Sequence, residues 1–451
     1  MISEQTLLEL LLSCGGLFAR QIPAPRPPWW GRGLRRTLAV VFAAIGRLGF
    51  DLQVHGLEQF SNSPGTLIVC NHKTDFDIIL LAPTLYWSHR GRGPIGRLAF
   101  VAAERMFQRG YFSNYLLSRP RWLSRLLYPV NLSAVLQALR TYPIPHARDR
   151  KLGAQLADIM ELKGNLTLGE IFRAPPEEIL PGVPPGAHIA EVLSWSYHQT
   201  LYQEHDYSIF TPHLERKLRA QHFARILSSL GRFAAILDEG DAVYLAPEGE
   251  LEIEGNFEEI KAGLARMVQM SRREMVLLPV NLTYDFMTTG RRRVFLTVGA
   301  ELRGLQSWSR ERLDDQVERA ISRLGTVTLG QLASTILQAV ASEGESSLAE
   351  GLFKEQIQRE AARLAFKEGY RVDERLLREE AFERCWQRFC AYCRRRKLLE
   401  WQGERINFAR VQVLGVAGAD GDKPVSPWVY SANELATIIE AHRQAAATSD
   451  R

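Results

Sequence analysis

Cysteine is scarce and unevenly placed. The 451 residues contain five, Cys14, Cys70, Cys385, Cys390 and Cys393. An odd, scattered set argues against a disulfide framework and for a reducing compartment. Cys390-Ala391-Tyr392-Cys393 spells C-x-x-C, but it lies in a helical pattern and no second pair follows. It reads as a helix face, and no metal is expected. His198 and His205 lack ligand spacing and read as surface residues. The chain also lacks a long apolar run. The stretch 7–12 has Glu4 and Glu9 in or beside it and no basic start, which argues against a signal peptide. Thr37 to Phe50 is interrupted by Arg47 and falls short of the roughly 20 apolar residues a spanning helix needs. Nor is one sign of charge in large excess. A net charge of +5 suits an acidic substrate or an anionic membrane surface better than nucleic acid, which is not expected as a partner. What remains is globular composition, 46% hydrophobic and 24% charged, on a chain long enough for a sizeable core.

Chemistry concentrates in Thr66 to Asp77, TLIVCNHKTDFD. The apolar run Leu67-Ile68-Val69-Cys70 predicts a buried strand, and an amphipathic helix is expected from Asp77. His72 and Asp77 therefore fall on a strand-to-helix turn, where side chains leave the sheet edge and backbone N–H groups are free. An imidazole there can take a proton near neutral pH, and a carboxylate can hold its tautomer. That pair activates a hydroxyl. Taken alone, it is equally well a capping Asp beside a loop histidine.

Three later stretches add weight: Leu245-Ala246-Pro247-Glu248-Gly249, Lys261-Ala262-Gly263 and Leu277-Leu278-Pro279-Val280. In this order, with Asn71-His72 and Asp77, the blocks resemble the glycerolipid acyltransferase family. The resemblance covers about residues 56–302, with a long insertion unmatched. It implies an α/β sandwich and an O-acyltransferase. The acyl donor would be a thioester, acyl-CoA or acyl-ACP, acting as co-substrate with no other cofactor. The acceptor would be a glycerolipid hydroxyl, on glycerol 3-phosphate or lysophosphatidate. His72 and Asp77 carry over as the catalytic pair, Glu248 and Gly249 as acceptor-binding, and Asn71, Pro247 and Pro279 as supporting motif positions. Glu248 has an alternative role in tying the turn together. Pro279 is expected at a strand end or edge. N–H groups at the start of the helix after His72 are expected to hold the oxyanion.

One departure matters. The family's arginine after the P-E-G glycine is replaced by Glu250 and Leu251, with Glu252 and Glu254 following. Carboxylates there would repel a phosphate. Substitute cations are Lys261, the run Arg291-Arg292-Arg293, and Arg148, the nearest counterpart to the arginine of the family's second block. A different lysolipid acceptor is the alternative, and a non-catalytic lipid-binding protein of the same fold is a third reading.

The predicted organisation has three parts. Residues 1–55 are an N-terminal amphipathic region in which Trp29, Trp30, Arg32, Arg35 and Arg36 precede an apolar helix. It is either an element at the membrane interface or an ordinary packing helix. Residues 56–305 form the acyltransferase domain, with an insertion at about 151–213 that covers the acyl side or touches lipid. Residues 306–451 form a mostly helical C-terminal domain, winged-helix-like around Arg405 to Val413, with a basic cluster at Arg394 to Lys397 that is either solvated or set against anionic lipid. The protein is expected to be cytoplasmic and peripheral on a membrane surface.

Overall fold

The computed structural model describes residues 28–107, 111, 121–145, 150–184, 186–249, 251, 253–415 and 426–449. Arg148, Glu250 and Glu252, and the stretch 7–12 with Cys14, lie outside them. The chain divides into two compact units. One comprises residues 36–97, 240–269 and 273–451; the other comprises 98–239 with the flanking 1–35 and 270–272. Strands are numbered along the chain: β1 (Phe50–His55), β2 (Thr66–Cys70), β3 (Ala99–Ala103), β4 (Thr141–Ile144), β5 (Arg150–Lys151), β6 (Glu204–His205), β7 (Val243–Leu245), β8 (Val276–Tyr284), β9 (Arg292–Val298), β10 (Ser347–Ala349), β11 (Glu400–Gln402) and β12 (Arg405–Asn407).

The first unit holds strands in the order β1-β9-β8-β2-β7. All contacts are parallel except the antiparallel β8–β9 pair. Every residue of β2 is buried, as expected for an unbroken apolar run flanked by parallel neighbours and covered on both faces. The helix Asp77–Ser88 follows it. The fold class is α/β, and the predicted β2, β7 and β8 are present. β8, however, runs on past Val280 to Tyr284. Its buried polar residues are satisfied: Asn281 Nδ2 donates to Ile321 O at 3.1 Å, and Thr283 Oγ1 accepts from Thr326 N at 3.1 Å.

The expectation for Pro279 needs correction. It lies inside β8, between β2 and β9, with Val69 as its partner on β2. Its missing N–H falls at an irregularity. Between the Leu277–Leu302 bridge and the Val280–Val298 pair, β8 contributes Leu278 and Pro279 while the facing chain contributes residues 299–301. The extra residue opposite removes the donor requirement that excludes proline from a regular ladder.

The C-terminal part of this unit runs helix (Leu329–Ser342), β10, helix (Glu350–Ala362), helix (Glu379–Arg396), β11, β12. The three strands form an antiparallel sheet ordered β10-β12-β11. Trp386, Phe389 and Trp428 fill its core together with Cys390 and Cys393. Burial pushes the Cys390 thiol up to about 12 and raises Cys393 as well, so both pack as small apolar groups. The last of these helices begins at Glu379. It follows a short 3-10 turn, Glu374–Leu377, whose first N–H groups are capped by Asp373.

Asp373 belongs to a buried cluster with Asp285, Arg293 and Arg375. Burial, then the charge on Asp373, pushes Asp285 from its ordinary value of 3.8 to about 6. In the window between these values the folded protein holds a proton that the unfolded chain releases, so stability falls as pH rises through it and stays lower above. Asp285→Asn removes that fall. Relative to wild type, the variant should gain about 3 kcal/mol between pH 3.5 and 7. Thermal denaturation at the two pH values checks this, and parallel wild-type and variant curves would refute the assignment.

In the second unit β3 and β4 pair in parallel. The insertion packs a core of its own from Leu152, Leu156, Ile171, Phe172 and Phe210, joined by Leu214 and Leu218. Those last two lie in the first turns of the helix Pro212–Asp238, which has Pro212 in its first turn. His198 stacks on Trp195 within the insertion, at 4.9 Å between ring centroids.

Candidate active site

Strand register builds the site. β2 and β7 are parallel, with Leu67 opposite Val243 and Val69 opposite Leu245, an offset of 176 residues. Carried past both strand ends, the same offset puts Glu248 beside His72, and His72 N donates to Glu248 Oε1 at 3.1 Å. β8 is parallel to β2 at an offset of 210. That places Tyr284 beside Thr74, whose hydroxyls lie 3.1 Å apart. Three strands thus deliver their C-terminal ends to one edge, where open α/β sheets assemble their sites.

His72 Nδ1 lies 3.0 Å from Asp77 Oδ2; the His side chain is 30% exposed and the Asp side chain 1%. A ring nitrogen facing a carboxylate carries the hydrogen, which leaves Nε2 as the acceptor. Asp77 is fixed by further donors: Lys73 N at 2.7 Å and Thr74 N at 3.0 Å on Oδ2, Thr74 Oγ1 at 3.0 Å and Tyr284 OH at 2.7 Å on Oδ1. Burial, then the Asp77 charge, raises the Tyr284 hydroxyl well above the ordinary phenol range, so it stays a donor. Asn71 locks the strand end by exchanging two bonds with Leu282, Nδ2 to O at 3.1 Å and N to Oδ1 at 2.8 Å.

Four of the N–H groups in this turn are engaged within it. The N–H groups of Lys73 and Thr74 go to Asp77, that of Phe76 to Thr74 Oγ1 and that of Asp77 to Thr74 O. The first two are spent on aiming the carboxylate.

Glu248 is fully buried. Its second oxygen accepts from Glu258 N at 3.1 Å, so both oxygens hold backbone. Burial raises its pKa against the pull of these two N–H groups. The geometry fits the tying role: Glu248 joins the P-E-G turn to the His72 turn. Gly249 is exposed at φ 76°, and a Cβ there would meet the Lys261 stem at 3.3 Å, so glycine is required at this bend. Pro247 O accepts from Lys261 N at 3.0 Å, which sets the exposed Lys261 against the same turn. Of the arginine run, Arg291 bonds the carbonyls of Arg47 and Phe50, Arg293 faces Asp373 at 3.5 Å, and Arg292 lies over Phe286 at 5.2 Å.

Sequence reasoning assigned no role in the site to Tyr284, Thr74 or the C-terminal helix Pro427–Ser449. Lys73 Nζ pairs with Glu434 of that helix at 3.1 Å, with side-chain exposures of 5% and 7%. Gln331 Nε2 donates to the other Glu434 oxygen at 2.7 Å. Asn433 Nδ2 reaches Glu254 O at 2.8 Å. A Cβ on Gly255 (φ 85°) would strike Tyr430 O. The signal for Tyr284 was the continued strand pattern after Val280; for Glu434 there was none.

Comparison with known proteins matches residues 51–123 to the family model described as Acyltransferase. No curated protein matches the sequence. The crystal structure of the 1-acyl-sn-glycerophosphate (LPA) acyltransferase PlsC from Thermotoga maritima is similar at 16% identity, over 72% of this chain and 95% of that one, with a TM-score of 0.32.

Proposed function

We propose, from the match of residues 51–123 to the Acyltransferase family model, that this chain moves a fatty acyl group from a CoA or acyl carrier protein thioester to a hydroxyl of a glycerolipid-type acceptor, glycerol 3-phosphate or lysophosphatidate. The carrying observation is the His72–Asp77 pair at 3.0 Å, fastened from behind by Glu248. His72 Nε2 takes the proton of the acceptor hydroxyl while its oxygen attacks the thioester carbonyl. The C–S bond of the tetrahedral species then breaks, and the imidazolium returns the proton to the leaving thiolate. Asp77 offsets the transient positive charge. Glu248 acts through the His72 backbone, and exposed Gly249 lets the acceptor approach. The test is purified protein with a labelled acyl thioester and a mixed acceptor pool, read by mass spectrometry. An acyl ester on one of the glycerolipid acceptors is expected. An ester on some other lysolipid would change the acceptor, and no ester on any acceptor would defeat the reading.

A peripheral membrane site is part of the proposal. No described helix is long and apolar enough to cross a membrane. The helix Gly31–Gly49 instead exposes apolar residues beside arginines: Trp29 just before it is 91% exposed and Leu48 79%, with Val40, Val41 and Ile45 also out. Tryptophan, aliphatics and arginine together suit the headgroup boundary. Trp29→Ser with Leu48→Ser should lower flotation with phosphatidylglycerol vesicles several-fold. Unchanged flotation would assign this face to another role.

A further inference from the structure

A cavity of about 490 Å³ opens beside the turn that carries His72, lined by Lys73, Phe286, Tyr392, Arg396, Leu398 and Tyr430 among others. Its size falls in the range of small-molecule sites. Its walls come from two sources. Lys73 is the residue after His72, and its N–H holds Asp77 at 2.7 Å. Phe286 stacks on Tyr284 at 5.3 Å, and Tyr284 holds the same carboxylate. The remaining walls belong to the C-terminal module. Tyr392 and Arg396 lie on the helix Glu379–Arg396, and Tyr430 on Pro427–Ser449. Two walls of the cavity, Lys73 and Phe286, are thus tied to the turn that holds Asp77.

The charge on its walls is positive. Lys73 is held against Glu434 and lies 5.5 Å over the Tyr430 ring, which fixes the position of its ammonium. Arg396 is exposed and makes no ion pair among the described residues. Arg292 adds a third cation nearby, 5.2 Å from the centre of the Phe286 ring. At Tyr392, burial raises the hydroxyl, and the charge on Arg396 acts against that rise. A guanidinium presents a planar fork of donors that matches phosphate oxygens, and the aromatic faces beside it accept a carbon chain.

We infer that this cavity is an anion subsite that holds the phosphate monoester of the acceptor between Arg396 and Lys73, with the adjoining carbons against Phe286, Tyr392 and Tyr430. The inference rests on the acyltransferase reading and extends it, because it gives the C-terminal module a part in binding substrate. It also supplies the cation missing from the P-E-G turn.

The experiment separates binding from turnover. Full-length His72→Ala protein is titrated calorimetrically with glycerol 3-phosphate, with lysophosphatidate and with zwitterionic lysophosphatidylcholine. A second arm adds Arg396→Glu, and a third adds Arg394→Glu, which changes the net charge equally at a side chain that lies over Trp401 at 4.3 Å. We expect at least one phosphate monoester to bind, with a loss of tenfold or more on Arg396→Glu and less than twofold on Arg394→Glu. Binding of lysophosphatidate alone places the lipid form in the site; binding of glycerol 3-phosphate places the soluble form. Equal losses in the two arginine variants, no binding of either phosphate, or equal affinity for lysophosphatidylcholine would overturn the subsite. A protein that acylates normally but binds phosphate independently of Arg396 loses only this inference. One that binds through Arg396 and yields no ester loses the proposed activity instead.

Discussion

His72→Ala should lower kcat by about 10³-fold, roughly 4 kcal/mol of transition-state stabilisation, with a much smaller change in KM. The size follows from losing the proton acceptor while the rest of the turn stays. The tie from His72 to Glu248 runs through the backbone N–H, which alanine retains, and the ring is partly exposed, so its removal opens little cavity. Asp77 keeps its donors from Lys73, Thr74 and Tyr284. Melting temperature should therefore move little, which separates a chemical loss from a folding one. Added imidazole, small enough to enter the vacated space, should recover part of the rate. Turnover within tenfold of wild type would remove His72 from the reaction.

Much of this site was legible because its strands advertise themselves. Leu67 to Cys70 is unbroken apolar sequence, and only a strand covered on both faces uses such a run; the abrupt change at Asn71-His72 marks its end. The P-E-G turn could be read in the same way after β7. What the sequence withheld was the register between them. Nothing in either stretch states that position 248 pairs beyond 72, because an offset is a property of two strands packed together. The same holds for Tyr284, which matters only because β8 continues four residues past Val280 on satisfied polar side chains. Two of the N–H groups expected to be free after His72, those of Lys73 and Thr74, are taken by a carboxylate that curls back from one turn later. Least visible was Glu434, whose partner Lys73 lies almost at the other end of the chain. Long-range ion pairs leave no local periodicity to detect.

Asp77 offers the sharper test, because two substitutions should part company there. Its oxygens accept from His72, Lys73, Thr74 and Tyr284 inside a buried turn. Asp77→Ala strands all of these donors and should destabilise the protein by about 3–5 kcal/mol, in the range for breaking a buried charged network. Asparagine is nearly isosteric. Its carbonyl oxygen can take the Oδ2 place and accept from the Lys73 and Thr74 N–H groups and from His72. Its amide then faces Thr74 Oγ1 and Tyr284 OH, and both hydroxyls can rotate to accept. The fold should survive Asp77→Asn with a stability loss of about 1 kcal/mol. The charge does not survive it. With no carboxylate behind the ring, the imidazolium formed during attack has nothing to offset it, and kcat should fall by about 10²–10⁴-fold. Thermal melts and steady-state kinetics on the two variants decide the matter. If Asp77→Asn turns over at the wild-type rate, the carboxylate is a cap for the helix Asp77–Ser88 and no more, and a stable Asp77→Ala protein would show that the donors around it find other partners.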